Sequence, residues 1–174
     1  MDPNAVKRVL VVGAGTMGNG IAQVFARAGI EVGLVDVAQE TLDRAKDRIE
    51  SGLRTLVEYG SVSEKALVPI MKRIQTSTDL EAAAKGADFA LEAVVEVADV
   101  KKEIFSRMED ACSEDTVLAR NTSSLDIFSV VEVKNPKRLV GAHSFAPPHI
   151  IPLVEVAPGP ETAPEVVEFT DGLM

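Results

Sequence analysis

Gly13, Gly15 and Gly18 stand where an apolar run gives way to an amphipathic one, and that junction constrains the fold more than any other feature of the chain. Residues 7–12 open on Lys7-Arg8 and run on through Val9-Leu10-Val11-Val12, which reads as a buried strand. Residues 16–28 read as a helix, with Met17, Ile21, Val24, Phe25 and Ala28 on one face and Gly29 as its left-handed C-terminal residue. A strand that enters a helix through a glycine-rich turn leaves unpaired backbone N–H groups at the helix start. They point the same way as the positive end of the helix dipole, so the junction suits an anion, and a phosphate above all.

The alternation of short apolar runs with longer helical ones continues along the chain. Strands are expected at 32–35, 74–77, 89–94, 117–120, 139–142 and 153–156. Helices are expected at 39–59, from Ser63, and at 79–85, 99–111 and 125–131. Gly60 and Gly86 read as stops. This order predicts an α/β fold of Rossmann type, a doubly wound and mostly parallel sheet with helices on both faces. From Ala157 the composition shifts: Pro158, Gly159, Pro160 and Pro164 read as a stiff link. The expected division is a nucleotide-binding domain over 1–160, then over 161–174 the start of a helix that leads to an absent carboxy-terminal domain.

In that context the glycines take separate roles. Gly13 allows the tight turn, Gly15 lets the backbone approach a pyrophosphate, and Gly18 lets the helix pack close to the sheet. Ala14, Thr16 and Met17 complete the cradle. Asp36 ends the second predicted strand, where its carboxylate can accept hydrogen bonds from the adenosine ribose hydroxyls. The same charge repels a 2′-phosphate, and Val37-Ala38-Gln39 offers no arginine to hold one, so the pattern favours NAD over NADP. FAD uses the same glycine pattern and stays the alternative cofactor. No metal is called for.

A net charge of −9 with lysines and arginines scattered among acids excludes nucleic acid and anionic membranes as expected partners. Lys7-Arg8 before an apolar run resembles the opening of a secretory signal, but the run stops at Gly13 and no stretch is long enough to span a bilayer. A soluble, cytoplasmic protein is expected. The single cysteine, Cys112, reads as a half-buried small hydrophobe rather than a nucleophile.

Of the two histidines, His143 closes a predicted strand, at the edge of the sheet where such folds bind ligands. Glu155 lies in the apolar run Pro152-Leu153-Val154-Glu155-Val156, where an acid is costly to bury unpaired. Strand, turn and strand of these lengths could set the two side by side, as a general base with an orienting carboxylate. The competing reading is a satisfied core histidine and an edge glutamate in water, and spacing alone favours it. His149, in the turn, reads as a surface residue. Asn121-Thr122-Ser123-Ser124 reads equally as a donor cluster for a substrate oxygen or as a helix start.

Taken together, these elements resemble the amino-terminal domain of the L-3-hydroxyacyl-CoA dehydrogenase family, from Arg8 to about Thr162. The motifs are the glycine turn with Met17, then Asp36, Glu92-Ala93-Val94-Val95-Glu96 and Val100-Lys101-Lys102-Glu103-Ile104-Phe105. Asn121-Thr122-Ser123-Ser124-Leu125 and Pro152-Leu153-Val154-Glu155-Val156 follow. The resemblance implies NAD-dependent oxidation of an L-3-hydroxyacyl-CoA to the 3-ketoacyl-CoA, as in fatty acid β-oxidation. By that resemblance His143 takes the hydroxyl proton and Glu155 orients His143. Ser123, with Asn121, faces the substrate oxygen, and Glu96, Lys101 and Ser123 contact the cofactor. It also implies a homodimer formed through a helical carboxy-terminal domain that this chain lacks, so that the isolated chain binds cofactor but turns over poorly.

Two positions depart from the family pattern. The family's asparagine three residues after the histidine is Ala146 here, which cannot supply that hydrogen bond. Lysines that meet coenzyme A near the end of the second long helix are replaced by Glu58-Tyr59. Together with the proline-rich stretches, Glu58-Tyr59 points toward the branch that oxidises small hydroxy acids, such as L-gulonate and carnitine dehydrogenases. A domain that senses NAD without chemistry is the reading from another class, and Ala146 is its best support, while His143, Ser123 and Glu155 speak against it.

Overall fold

Alternate residues of the first strand go to opposite faces of one sheet: Val9 and Val11 join one core, Leu10 and Val12 the other. The computed structural model describes residues 1–122 and 126–174. The chain runs β1 (Arg8–Val12), α1 (Thr16–Arg27), β2 (Glu31–Val35), α2 (Gln39–Glu58), α3 (Glu64–Lys72), β3 (Ile74–Ser77) and α4 (Leu80–Ala84). It continues through β4 (Phe89–Glu92), α5 (Ala98–Ala111), β5 (Val117–Arg120), α6 (Ile127–Val130), β6 (Leu139–Ser144), β7 (Val154–Pro158) and α7 (Pro164–Leu173).

The sheet order is β3-β2-β1-β4-β5-β6-β7, parallel throughout except for β7, which returns antiparallel to β6. Helices α1, α2, α3 and α7 cover one face, and α4, α5 and α6 the other. This is the expected doubly wound fold. The order reverses between β1 and β4, and the crevice beyond the carboxyl ends of those strands is where such sheets bind ligands. Among the described residues no helix is long and apolar enough to cross a membrane.

Four local expectations change. The inward face of α1 is Gly18, Ile21, Ala22, Phe25 and Ala26, while Val24 stays 39% exposed. Ile21 and Phe25 face the core as expected. The close approach of helix and sheet at Gly18 rotates the buried stripe so that Ala22 and Ala26 flank them, and Val24 and Ala28 are carried to the exposed side. β4 ends at Glu92 rather than at Val94. β7 continues through Ala157 and Pro158, which is tolerated because β7 is an edge strand and the proline needs no ladder N–H on its open side. Of the helix expected over 125–131, α6 covers Ile127–Val130, and Leu125 lies outside the described residues.

α7 packs on the same core as the rest of the sheet. Its Phe169 ring lies 6.4 Å from Phe89, which in turn lies 6.3 Å from Phe25 of α1. Full burial of a side chain of that size stabilises by roughly 1.5–3 kcal/mol. Residues 161–174 are therefore held against the sheet by the same apolar contacts as α1. The turn before α7 is fixed by Thr162, whose hydroxyl accepts from the Gly159 amide at 2.7 Å and donates to the Leu139 carbonyl at 2.5 Å.

Candidate active site

Gly13 adopts φ +102°, and a Cβ there would lie 2.5 Å from the Ala93 carbonyl oxygen, so only glycine lets β1 turn this close to the end of β4. A Cβ on Gly18 would lie 1.7 Å from the Gly13 oxygen. Gly15 is different: nothing stands within 4 Å of its missing Cβ, and it is the position that opens on the crevice. The turn is braced from β2. Asp36 accepts from the amides of Ala14 (2.9 Å) and Ala38 (3.3 Å). A carboxylate has about four lone-pair sites, so Asp36 keeps acceptor capacity for ribose hydroxyls. A cleft of about 370 Å³, lined by Gly13, Gly15, Asp36, Val37, Val94 and Val95 among others, lies over this turn. Open space at Gly15, bare amides at the start of α1 and an acid at the end of β2 fit a dinucleotide.

At the other side of the sheet, β6 and β7 pair so that His143 stands directly opposite Glu155. His143 Nδ1 and Glu155 Oε2 are 2.9 Å apart. A carboxylate can only accept, so Nδ1 donates and Nε2 carries the lone pair of the neutral ring. The His143 side chain is 23% exposed and its ring tilts against Phe145 at 4.9 Å. Spacing alone favoured separate roles for these residues; the antiparallel return of β7 brings them together.

Asn121 is buried, and its side-chain carbonyl accepts from the Ser144 amide at 2.7 Å. It thus ties the ends of β5 and β6 beside His143, leaving its NH2 group for any further contact. Ser123 lies outside the described residues. Ala146, three residues past His143, is exposed and offers no side-chain hydrogen bond. Glu58 and Tyr59 stand exposed at the end of α2. His149 is not a simple surface residue. It is half-buried against α1, its Nδ1 has no partner, and burial, with Arg27 nearby, lowers its pKa below the usual 6.5. Burial lifts the Cys112 thiol to about 11, which leaves it unreactive at neutral pH.

Glu96 and Lys101, two expected cofactor contacts, belong to one charged cluster whose third member sequence reasoning gave no role. Lys101 Nζ is fully buried, 2.7 Å from Glu92 and 3.5 Å from Glu96. Glu96 also accepts from the Thr122 hydroxyl. Burial pushes the Glu92 carboxyl above the ordinary range, against the pull of Lys101 and the Val94 amide. An acid closing the apolar run Phe89-Ala90-Leu91, with a lysine in the following helix, was the available signal.

The family model for the 3-hydroxyacyl-CoA dehydrogenase NAD-binding domain matches residues 8–174. The chain belongs to that family. The cofactor of the family's domain, and of this chain, is NAD. Among its relatives, the 3-hydroxyadipyl-CoA dehydrogenase of Escherichia coli is 42% identical over 94% of this chain and 34% of its own length. The 3-hydroxybutyryl-CoA dehydrogenase of Mycobacterium tuberculosis is 40% identical over 88% of this chain and 54% of its own. A crystal structure of 3-hydroxybutyryl-CoA dehydrogenase from Escherichia coli superposes with a TM-score of 0.92 at 41% identity, over 97% of this chain and 36% of that one. The chain thus spans between a third and about half of the length of these relatives.

Proposed function

We propose that this domain serves an NAD-dependent dehydrogenase that oxidises the 3-hydroxy group of an L-3-hydroxyacyl-CoA to the ketone. The observation that carries the reading is the His143–Glu155 pair at 2.9 Å, set at the sheet edge beyond the glycine turn. Glu155 holds the Nδ1 proton, which fixes the tautomer and leaves Nε2 as base. His143 Nε2 takes the hydroxyl proton, and Glu155 stabilises the imidazolium that results. Bound NAD supplies the acceptor for the hydride that leaves carbon 3. Ser123 and the amide of Asn121 are assigned to the substrate oxygen. Asp36 is assigned to the adenosine ribose, and Glu96 and Lys101 to the nicotinamide side.

A second substrate class has its own support. The exposed Glu58-Tyr59 end of α2 favours a free hydroxy acid over a polyanionic thioester, because Glu58 repels it. A paired assay decides: acetoacetyl-CoA against a small 3-keto acid, following loss of NADH. Because the relatives extend well past the matched region, it is run on the 174-residue chain and on that chain joined to a carboxy-terminal domain of the family. Binding of NADH without turnover of either substrate in the joined protein overturns the dehydrogenase reading in favour of a sensing domain. A cytoplasmic location and a homodimer go with the proposal, and fractionation and sedimentation test them.

A further inference from the structure

Glu92 ends β4 with its side chain fully buried, and the proposed chemistry makes no use of it. Its Oε1 accepts from Lys101 Nζ (2.7 Å) and from the Val94 amide (2.8 Å), while Oε2 is buried without a partner. Lys101 is equally buried. Glu96 is not: its side chain is 39% exposed, on the rim. One ammonium therefore serves two carboxylates, one fully buried and one partly exposed. Arg120 stands opposite Glu92 in the β4–β5 register and feels Asp126, Glu96 and Glu92. Three acids against two cations leave the cluster with one negative charge.

Packing does not account for this arrangement. Apolar residues of similar volume can replace a buried ion pair with little or no loss of stability. The position of the cluster is more informative. It lies on the β4–β5 side of the switch point, whereas Asp36 lies on the β2 side. A dinucleotide laid across the switch point with its adenosine ribose at Asp36 has its nicotinamide on the β4–β5 side. The ring carries a positive charge when oxidised and none when reduced.

We infer that the Glu92–Lys101–Glu96 cluster favours the oxidised cofactor over the reduced one through its excess negative charge, with Glu92 contributing through Lys101 rather than by touching the cofactor. The inference rests on the proposed placement of NAD. Removing one charge so near the ring lowers the preference for NAD+ over NADH about tenfold in a partly buried setting.

The test titrates NAD+ and NADH separately, by calorimetry, against wild type, Glu92→Gln, Glu96→Gln and the double variant Glu92→Gln/Lys101→Met. Both single variants make the cluster neutral, and each is expected to lose about tenfold of the NAD+ preference. The double variant restores one negative charge and is expected to recover most of that preference. Should Glu92→Gln fail to fold, Glu96→Gln, altered only on the rim, still reads the charge. Equal weakening of NAD+ and NADH in the single variants, without recovery in the double, overturns the inference alone. Binding that is indifferent to Asp36→Ala overturns the placement of NAD and the inference with it.

Discussion

Glu155 faces His143 across the antiparallel β6–β7 pair, with Oε2 2.9 Å from Nδ1. The contact joins strands whose ends are separated by the loop 145–153, so the dyad is a product of topology rather than of local sequence. Asn121 locks the same place from the other side by holding the Ser144 amide. The base is thus fixed by β5, β6 and β7 together.

Glu155→Ala removes the acceptor for Nδ1–H, and the ring is free to take the other tautomer or rotate. In a catalytically complete protein, kcat is expected to fall about 100-fold or more with KM little changed. His143→Gln is expected to abolish turnover while NAD titrates as before. Retention of rate in His143→Gln would place the base elsewhere.

Asp36 does two things at once, bracing the turn through Ala14 and Ala38 and presenting an acceptor to the groove. Hydrogen bonds to a charged group contribute about 1.5–3 kcal/mol each, so Asp36→Ala is expected to weaken NAD about tenfold to 100-fold. Its melting temperature should also drop, because two amides lose their acceptor. Asp36→Asn keeps an acceptor but loses the charge, and should narrow the gap between NAD and NADP. Unchanged NAD affinity in Asp36→Ala sinks the assignment.

Gly15 and Gly18 separate binding from folding. An alanine Cβ at Gly18 would meet the Gly13 oxygen at 1.7 Å, backbone against backbone, so Gly18→Ala is expected to destabilise by about 1–3 kcal/mol or more and to melt well below wild type. At Gly15 the space is open, and Gly15→Ala should melt like wild type while NAD binding falls, since the added methyl occupies the approach of the pyrophosphate. Normal NAD affinity in Gly15→Ala would show that the ligand does not come that close.

The strand and helix order was legible because apolar period and glycine stops agree along most of the chain, down to β3 and β5 at their exact residues. The face of α1 was placed correctly at Ile21 and Phe25 but misjudged at Val24 and Ala28, because the helical period around those two residues extends to either side and only the contact with the sheet at Gly18 selects Ala22 and Ala26. The continuation of β7 through Pro158 was hidden because proline reads as a breaker until its edge position is known. Glu92 escaped notice for a related reason. The sequence shows an acid after an apolar run, but only the return of α5 over β4 shows that Lys101 reaches it. The dyad needed the register of β6 and β7, which no local pattern encodes.

His149 supplies a pH dependence. Its Nδ1 is buried without a partner beside α1, and its carbonyl accepts from Arg27 at 3.4 Å. Burial first, then the Arg27 charge, hold its pKa below 6.5 in the folded chain. The folded state then binds fewer protons than the unfolded one, so stability is fully present above 6.5 and is lost as pH falls through the lowered value. Between about pH 7 and about pH 5 the wild-type melting temperature should fall more steeply than that of His149→Gln, which has no proton to take up there. Because the loop carrying His149 joins β6 to β7, the same acidification should loosen the frame that holds His143 against Glu155. Parallel melting curves for the two proteins would show that His149 titrates alike folded and unfolded, and would remove it as a source of acid sensitivity.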